Sequence, residues 1–435
     1  MLKLPDIATQ PFCPSEVQGS VVFDTSQSYW KKLYQFMGPG LLIAIGYMDP
    51  GNWATDIEAG SRFGYDLLCI VFFSSLAAIV LQVLSLRLGI VTGKDLALLS
   101  RERAGKKYGI FLWLTAELSI VACDFAEVLG GALAFHLLLG VPLLIGVVLT
   151  ILDTLVVLGL KGRNFRTLEA IILGLITTIG ICYVGELWLI KPFWPDIAAG
   201  FIPSWGTFSQ PQAVPLAVGI IGATIMPHNL YLHSSIVQTR VIARDDKTKK
   251  EALRLATTDT VVSLFLALII NCAILILSAG AFHARGYIVA EIQDAYNLLD
   301  PLVGSVFAAP LFGIALLASG QSSTFTGTVA GQVILDGFMN LKIPCWQRRV
   351  ITRALALVPA FVGIWLMGDN SIGKMLVISQ IVLGLQLPFA MYPLIRQVSD
   401  RKLMGAFTIS LPTSLLAWFI FLAIVGGNLW MLVTL

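Results

Sequence analysis

Apolar runs of about 20 residues recur along almost the whole chain, and that is the length a helix needs to cross bilayer hydrocarbon. Composition supports the same reading. The chain is 57% apolar and only 13% charged, against about 45–50% and 25% in ordinary soluble domains. The fold class expected is an all-α polytopic membrane protein. Eleven spans are read, at roughly 36–60, 67–90, 110–139, 141–160, 167–190, 214–237, 257–282, 303–335, 350–367, 373–395 and 405–433. The ninth is the least secure, being short and carrying Arg353 near one end. Residues 1–35 read as a polar amino-terminal tail without the apolar core of a signal peptide.

Charge placement orients the chain. With the amino terminus inside, the cytoplasmic segments collect basic clusters such as Arg101, Arg103, Lys106 and Lys107, while the outside loops hold Lys191, Arg285 and Lys374. This is the positive-inside pattern, and it puts the carboxyl terminus outside or in the periplasm. Orientation is a sufficient use for these cations, so no nucleic acid or lipid-specific partner is called for. The six cysteines show neither metal-finger nor redox spacing and read as small core residues.

Two of the runs are interrupted. In the first, Gly46-Tyr47-Met48-Asp49-Pro50-Gly51-Asn52 puts a carboxylate and a helix breaker near mid-membrane. On insertion scales such an aspartate costs about 2.5–3.5 kcal/mol. In the sixth, Ala223-Thr224-Ile225-Met226-Pro227-His228-Asn229 does the same with a thioether and an imidazole. Either motif alone reads equally well as a proline kink between packed helices. Two breaks with polar ligands in corresponding halves point to a binding site where irregular backbone lines a cavity. Spans one and six lie an odd number of spans apart, so the two halves enter the membrane in opposite senses. That predicts a 5+5 inverted repeat, 36–190 and 214–395, joined by an outside loop at 191–213 and followed by an eleventh span within 396–435.

The residues at the breaks form a mixed donor set. Asp49 offers a carboxylate, Asn52 an amide oxygen, and Gly46 and Ala223 backbone carbonyls. Met226 adds sulfur, which favours softer transition metals over Mg²⁺ or Ca²⁺. Gln380 in span ten is a further oxygen candidate, and Asn271 a weaker one suited to interhelical hydrogen bonding. His228 suits proton handling or gating better than ligation; His233, about 140° further round the helix, is not expected at the site. Glu117, Asp124 and Glu127 fall within roughly 80° of one face of span three. They read as a proton path or as buried ion pairs, with Arg240 and Arg353 as counter-charges. Asp56 and Glu58 can make an electronegative mouth, and Ser319–Thr328 is a small polar stretch suited to tight helix packing.

The pair Asp49-Pro50-Gly51-Asn52 and Met226-Pro227-His228 resembles the two signature motifs of the Nramp family of divalent metal transporters. The likeness extends to Gly222–Ser235, the acidic face of span three and Leu317–Ser323, covering essentially spans one to ten. The resemblance implies a LeuT-like fold and proton-coupled uptake of Mn²⁺ or Fe²⁺, the metal being substrate rather than cofactor. It maps metal ligands onto Asp49, Asn52, Met226, Ala223 and Gly46, and a proton-linked network onto Asp124, Glu127, Glu117, His228, Arg240 and Arg353. Relatives often carry Ala where this chain has Gly46, which leaves the backbone ligand but loosens the turn. The methionine sets the chain apart from the family's magnesium-transporting relatives. The brief termini lead us to expect a bacterial source, and hence the plasma (inner) membrane. No obligate protein partner is expected. The rivals are a sodium-coupled amino-acid transporter on the same scaffold, a channel, or a membrane enzyme. No pore ring, evident nucleophile or His/Cys cluster favours the last two.

Overall fold

The computed structural model describes residues 19, 27–150, 165–243, 245–341, 343, 345–368 and 371–434. Among them the chain is nearly all helix, with no strands. Eight helices are long and apolar enough to cross a membrane: Leu68–Thr92, Lys107–Leu139, Glu169–Ile190, Ala213–Thr239, Asp246–Arg285, Val350–Met367, Ile372–Val398 and Leu411–Val433. These occupy the expected places of spans two, three, five to seven and nine to eleven. The eighth place is filled by the 32-residue helix Ala308–Met339. The fourth begins as Leu143–Leu149, and most of its expected length lies outside the described residues.

The first span is two short helices, Pro39–Gly46 and Pro50–Phe63. The sixth is likewise divided into Ala213–Ile225 and Pro227–Ile236. Each second half starts on proline, whose missing N–H and fixed φ suit the first turn of a helix. Asp49 caps the first of them by accepting a hydrogen bond from Asn52 N at 2.8 Å. Met226 turns the chain in the other break with φ +43°, a left-handed conformation rare for a side chain of its size.

Helix ends depart from the sequence reading where a cap extends them. The seventh span starts at Asp246 rather than near 257, because Asp245 accepts from Thr248 N and begins the helix within the connection that follows the sixth span. Short helices at Tyr29–Phe36, Leu96–Ala104 and Ile292–Val303 join or precede the spans. Burial follows the broken pair: the shared core runs through Ile43, Ile45, Trp53, Ile225 and Leu230. The helices Glu169–Ile190, Val350–Met367 and Leu411–Val433 leave most of their surface facing outward, as lipid-facing helices do.

Candidate metal-binding centre

Proline decides which carbonyls the breaks release. In an α-helix the C=O of residue i accepts from the N–H of residue i+4. Pro50 and Pro227 have no N–H, so the carbonyls left without their helical donors are those of Gly46 and Ala223. The neighbouring carbonyls are otherwise satisfied. Tyr47 O accepts from Asn271 Nδ2 at 2.8 Å, and Met48 O accepts from the Ser319 hydroxyl. Asn271 and the small polar stretch of span eight therefore hold the unwound turn of span one.

The two breaks meet. Asn52 Nδ2 donates to Asp49 Oδ1 at 2.7 Å and to Ala223 O at 3.1 Å. Tyr47 OH donates to Ile225 O at 3.3 Å. Gly46 faces the Met226 sulfur: a Cβ added there would lie 3.4 Å from Sδ and collide with Asn229 Nδ2. Asn229 Nδ2 in turn points to the Met226 sulfur at 3.5 Å. Gln380 packs against Gly51, where any Cβ would strike its amide, so the tenth span borders the same chamber. Asp49, Met226, Asn229, His228 and Gln380 are fully buried and Asn52 nearly so. The structure thus gathers all six proposed metal-site positions around the two breaks.

The Asn52 amide is informative. Its NH₂ donates to two oxygens, Asp49 Oδ1 and Ala223 O, that a cation would otherwise attract. The second carboxylate oxygen, Asp49 Oδ2, has no hydrogen-bond partner among the described residues. A bound ion would require the amide to turn and offer Oδ1 instead.

His228 is wholly buried, and neither ring nitrogen has a hydrogen-bond partner among the described residues. The acidic face of span three lies along span eight at Gly327. An added Cβ there would sit 2.9 Å from Glu127 Oε1 and 3.4 Å from Asp124 Oδ1. Arg353 Nη1 lies 3.8 Å from Glu127 Oε2, with both side chains buried. Glu117 pairs with Arg348, a partner absent from the sequence reading.

Arg240 differs from expectation. It pairs with Glu169 of the fifth span at 2.8 Å and donates to the carbonyls of Phe36 and Met37. Asp259 accepts from Gly38 N and Gly40 N at 3.3 and 2.8 Å. Together they pin the start of span one, and Arg240 is not the counter-charge of the acids on span three. The geometric reason is that the sixth span ends beside spans one and five. Arg240→Gln is expected to destabilise the fold by about 3–5 kcal/mol, because it breaks the buried ion pair with Glu169. Lys94→Gln, which breaks an exposed pair with Glu102, should change stability by less than about 1 kcal/mol. Thermal unfolding of the two variants checks this, and equal shifts would remove Arg240 as a latch.

His233 stays away from the breaks yet connects to them. Its Nδ1 meets Gln82 Oε1 at 2.9 Å, and Gln82 Nε2 donates to Tyr47 OH at 2.9 Å. Asn229, Gln82 and Tyr47 were missed in the sequence. For Asn229 the available signal was its place in the first turn after Pro227.

The family model for natural resistance-associated macrophage protein-like (Nramp) sequences matches residues 40–434. This chain belongs to the Nramp family. It is 64% identical over 429 residues to a divalent metal cation transporter of Ralstonia nicotianae, covering 98% of this chain and 97% of that one. It is 61% identical to one from Pseudomonas aeruginosa, with 99% and 98% covered. In structure, this Nramp chain matches the crystallised manganese transporter of Eremococcus coleocola with a TM-score of 0.89 and 36% identity, covering 96% of this chain and 90% of the other. A likeness of fold alone extends to the L-phenylalanine complex of MhsT, with a TM-score of 0.60 and 17% identity, covering 90% and 98%. The fold is LeuT-like. As a family of transporters, Nramp proteins are membrane proteins and not enzymes.

Proposed function

We propose that this chain imports Mn²⁺ and Fe²⁺ across the plasma membrane, coupled to proton movement, by alternating access. The observation that carries the reading is the meeting of Asp49 and Asn52 with Ala223 and Met226 where two helices unwind. Oxygen from Asp49, Asn52, Gly46 and Ala223 plus sulfur from Met226 suits a borderline transition-metal ion better than Ca²⁺ or Mg²⁺. Gln380 borders the chamber and would give a further oxygen in another conformation. The names carried by the Ralstonia and Eremococcus relatives support metal as the cargo.

Three titratable groups support proton coupling. His228, two residues after Met226, has no hydrogen-bond partner at either ring nitrogen among the described residues, and Asp124 and Glu127 continue inward from the chamber along span three, with Arg353 as the counter-charge. A buried pair that parts on protonation acts as a switch. In this reading the amino terminus is cytoplasmic, the carboxyl terminus lies outside, and the repeats are 36–190 and 214–395. An inside-negative potential then favours entry of a divalent ion by about 4.6 kcal/mol per 100 mV.

The test is radiolabelled Mn²⁺ uptake into proteoliposomes with and without an inward proton gradient. Stimulation by the gradient is expected, and uptake indifferent to it would remove proton coupling. Met226→Ala is expected to weaken exclusion of Ca²⁺ more than it weakens Mn²⁺ uptake, because oxygen ligands remain. Uptake with competing Ca²⁺ reads this directly, and unchanged selectivity would take the sulfur out of the mechanism.

A further inference from the structure

On the side that the proposed orientation puts in the cytoplasm, the ends of spans three, ten and eleven, the short helix Leu96–Ala104 and the connection after span ten border an open cleft of about 1100 Å³. It stands apart from the metal chamber and has no part in the transport reading. Its walls carry Arg103, Arg396 and Lys402 against one carboxylate, Asp400. Arg103 Nη1 lies 2.6 Å from Asp400 Oδ2 and holds that carboxyl below its ordinary range. The cleft is therefore cationic on balance. Arg396 is fixed at the rim by Tyr392, to whose hydroxyl it donates at 3.2 Å.

Below the cations the cleft is bordered by aromatic rings. One ridge runs from Tyr108 to Phe111 to Phe389, with ring centroids 6.0 and 5.4 Å apart. The other joins Tyr392, Trp418 and Phe421, with spacings of 5.9, 6.3 and 5.4 Å. Tyr108, Phe111, Phe389 and Tyr392 are exposed, and Tyr108 and Tyr392 also line the cleft itself. Orientation of a membrane protein needs cations near the surface but no cleft between them. A cationic head space continuous with two exposed aromatic ridges matches a molecule that is anionic at one end and apolar at the other. Tyr and Trp are the side chains that suit such a boundary.

We infer that this cleft binds the headgroup of an acidic glycerophospholipid, with its acyl chains lying along the two aromatic ridges. Basic pockets between helices on the cytoplasmic side are suited to such headgroups. The phosphate meets Arg396 and Lys402, since Asp400 already engages Arg103. A free phosphate ion would share the cations but gain nothing from the ridges. The inference rests on the proposed orientation, and its test needs no metal, so its failure and that of the transport reading can be told apart.

The full chain, purified in neutral detergent and stripped of lipid, is titrated with phosphatidylglycerol and followed by native mass spectrometry. Saturable binding is expected, at least tenfold tighter than phosphatidylcholine of the same chains and not displaced by inorganic phosphate. Each cation near an anionic headgroup contributes enough to change affinity roughly fivefold. Lys402→Gln should thus weaken binding about fivefold and Arg396→Gln with Lys402→Gln roughly thirtyfold. Arg401→Gln, exposed and outside the cleft, should leave binding unchanged. The inference is overturned if the double variant binds phosphatidylglycerol like the wild type, or if Arg401→Gln weakens it equally. Phosphatidylcholine binding as tightly, or phosphate displacing the lipid, would overturn it as well. The single variant keeps the test decisive if the double variant does not fold.

Discussion

Asp49→Asn is expected to abolish metal binding while leaving the fold intact. The aspartate has two separable duties. It caps the helix that begins at Pro50, through Asn52 N at 2.8 Å, and it supplies the negative charge of the chamber. Asparagine caps about as well as aspartate, so the unfolding midpoint should move by less than about 1 kcal/mol equivalent. The charge has no such substitute. Among the proposed ligands Asn52, Met226, Gly46 and Ala223 are all neutral, and the site is sealed from water. Taking one member from a buried charge pair typically costs about 3–5 kcal/mol, or two to three and a half decades in affinity. Calorimetric titration with Mn²⁺, run beside thermal unfolding, separates the two duties. Normal affinity in a folded variant would contradict the site.

What could be read in the sequence followed from local rules. A proline four residues after Gly46 and another four after Ala223 free two carbonyls whatever the rest of the chain does. Helical spacing likewise put Glu117, Asp124 and Glu127 on one face. What could not be read was which helix that face meets. Glu117 found Arg348 and Arg240 found Glu169, both far away in the chain. A single sequence gives the periodicity of a helix but not the identity of its neighbours. Arg353 was placed near the acids and does approach Glu127, yet the same reasoning misassigned Arg240. The links from Tyr47 to Gln82 to His233 escaped for the same reason, since each joins a different span. Asn229 was hidden otherwise: an amide in the first turn of a helix usually bonds nearby backbone, and here it faces a sulfur instead.

Gly222→Ala is expected to reduce both stability and metal affinity, against the usual sign for such a change. Within a helix, alanine is normally favoured over glycine by about 0.5–1 kcal/mol. Gly426, in the last span, has open space where a Cβ would go, so Gly426→Ala should show that ordinary gain or no change. At Gly222 the added Cβ would collide with the carbonyl oxygen of Gln380 and sit 2.9 Å from Gly384 Cα. Both obstacles are backbone of the tenth span, and neither can rotate away. Close approach through small residues is how membrane helices gain packing contacts. Forcing a methyl group into it costs about 1–3 kcal/mol and separates the sixth span from the tenth. Gly222 also carries the carbonyl that accepts from Met226 N at 3.2 Å, and it immediately precedes Ala223. Separation of the helices therefore shifts the ligand carbonyl and the sulfur relative to Gln380 and Asp49. Parallel unfolding and Mn²⁺ titration of the two variants measures this. If Gly222→Ala stabilises the protein as Gly426→Ala does, the sixth and tenth spans do not meet as closely as described, and Gln380 loses its place beside the chamber.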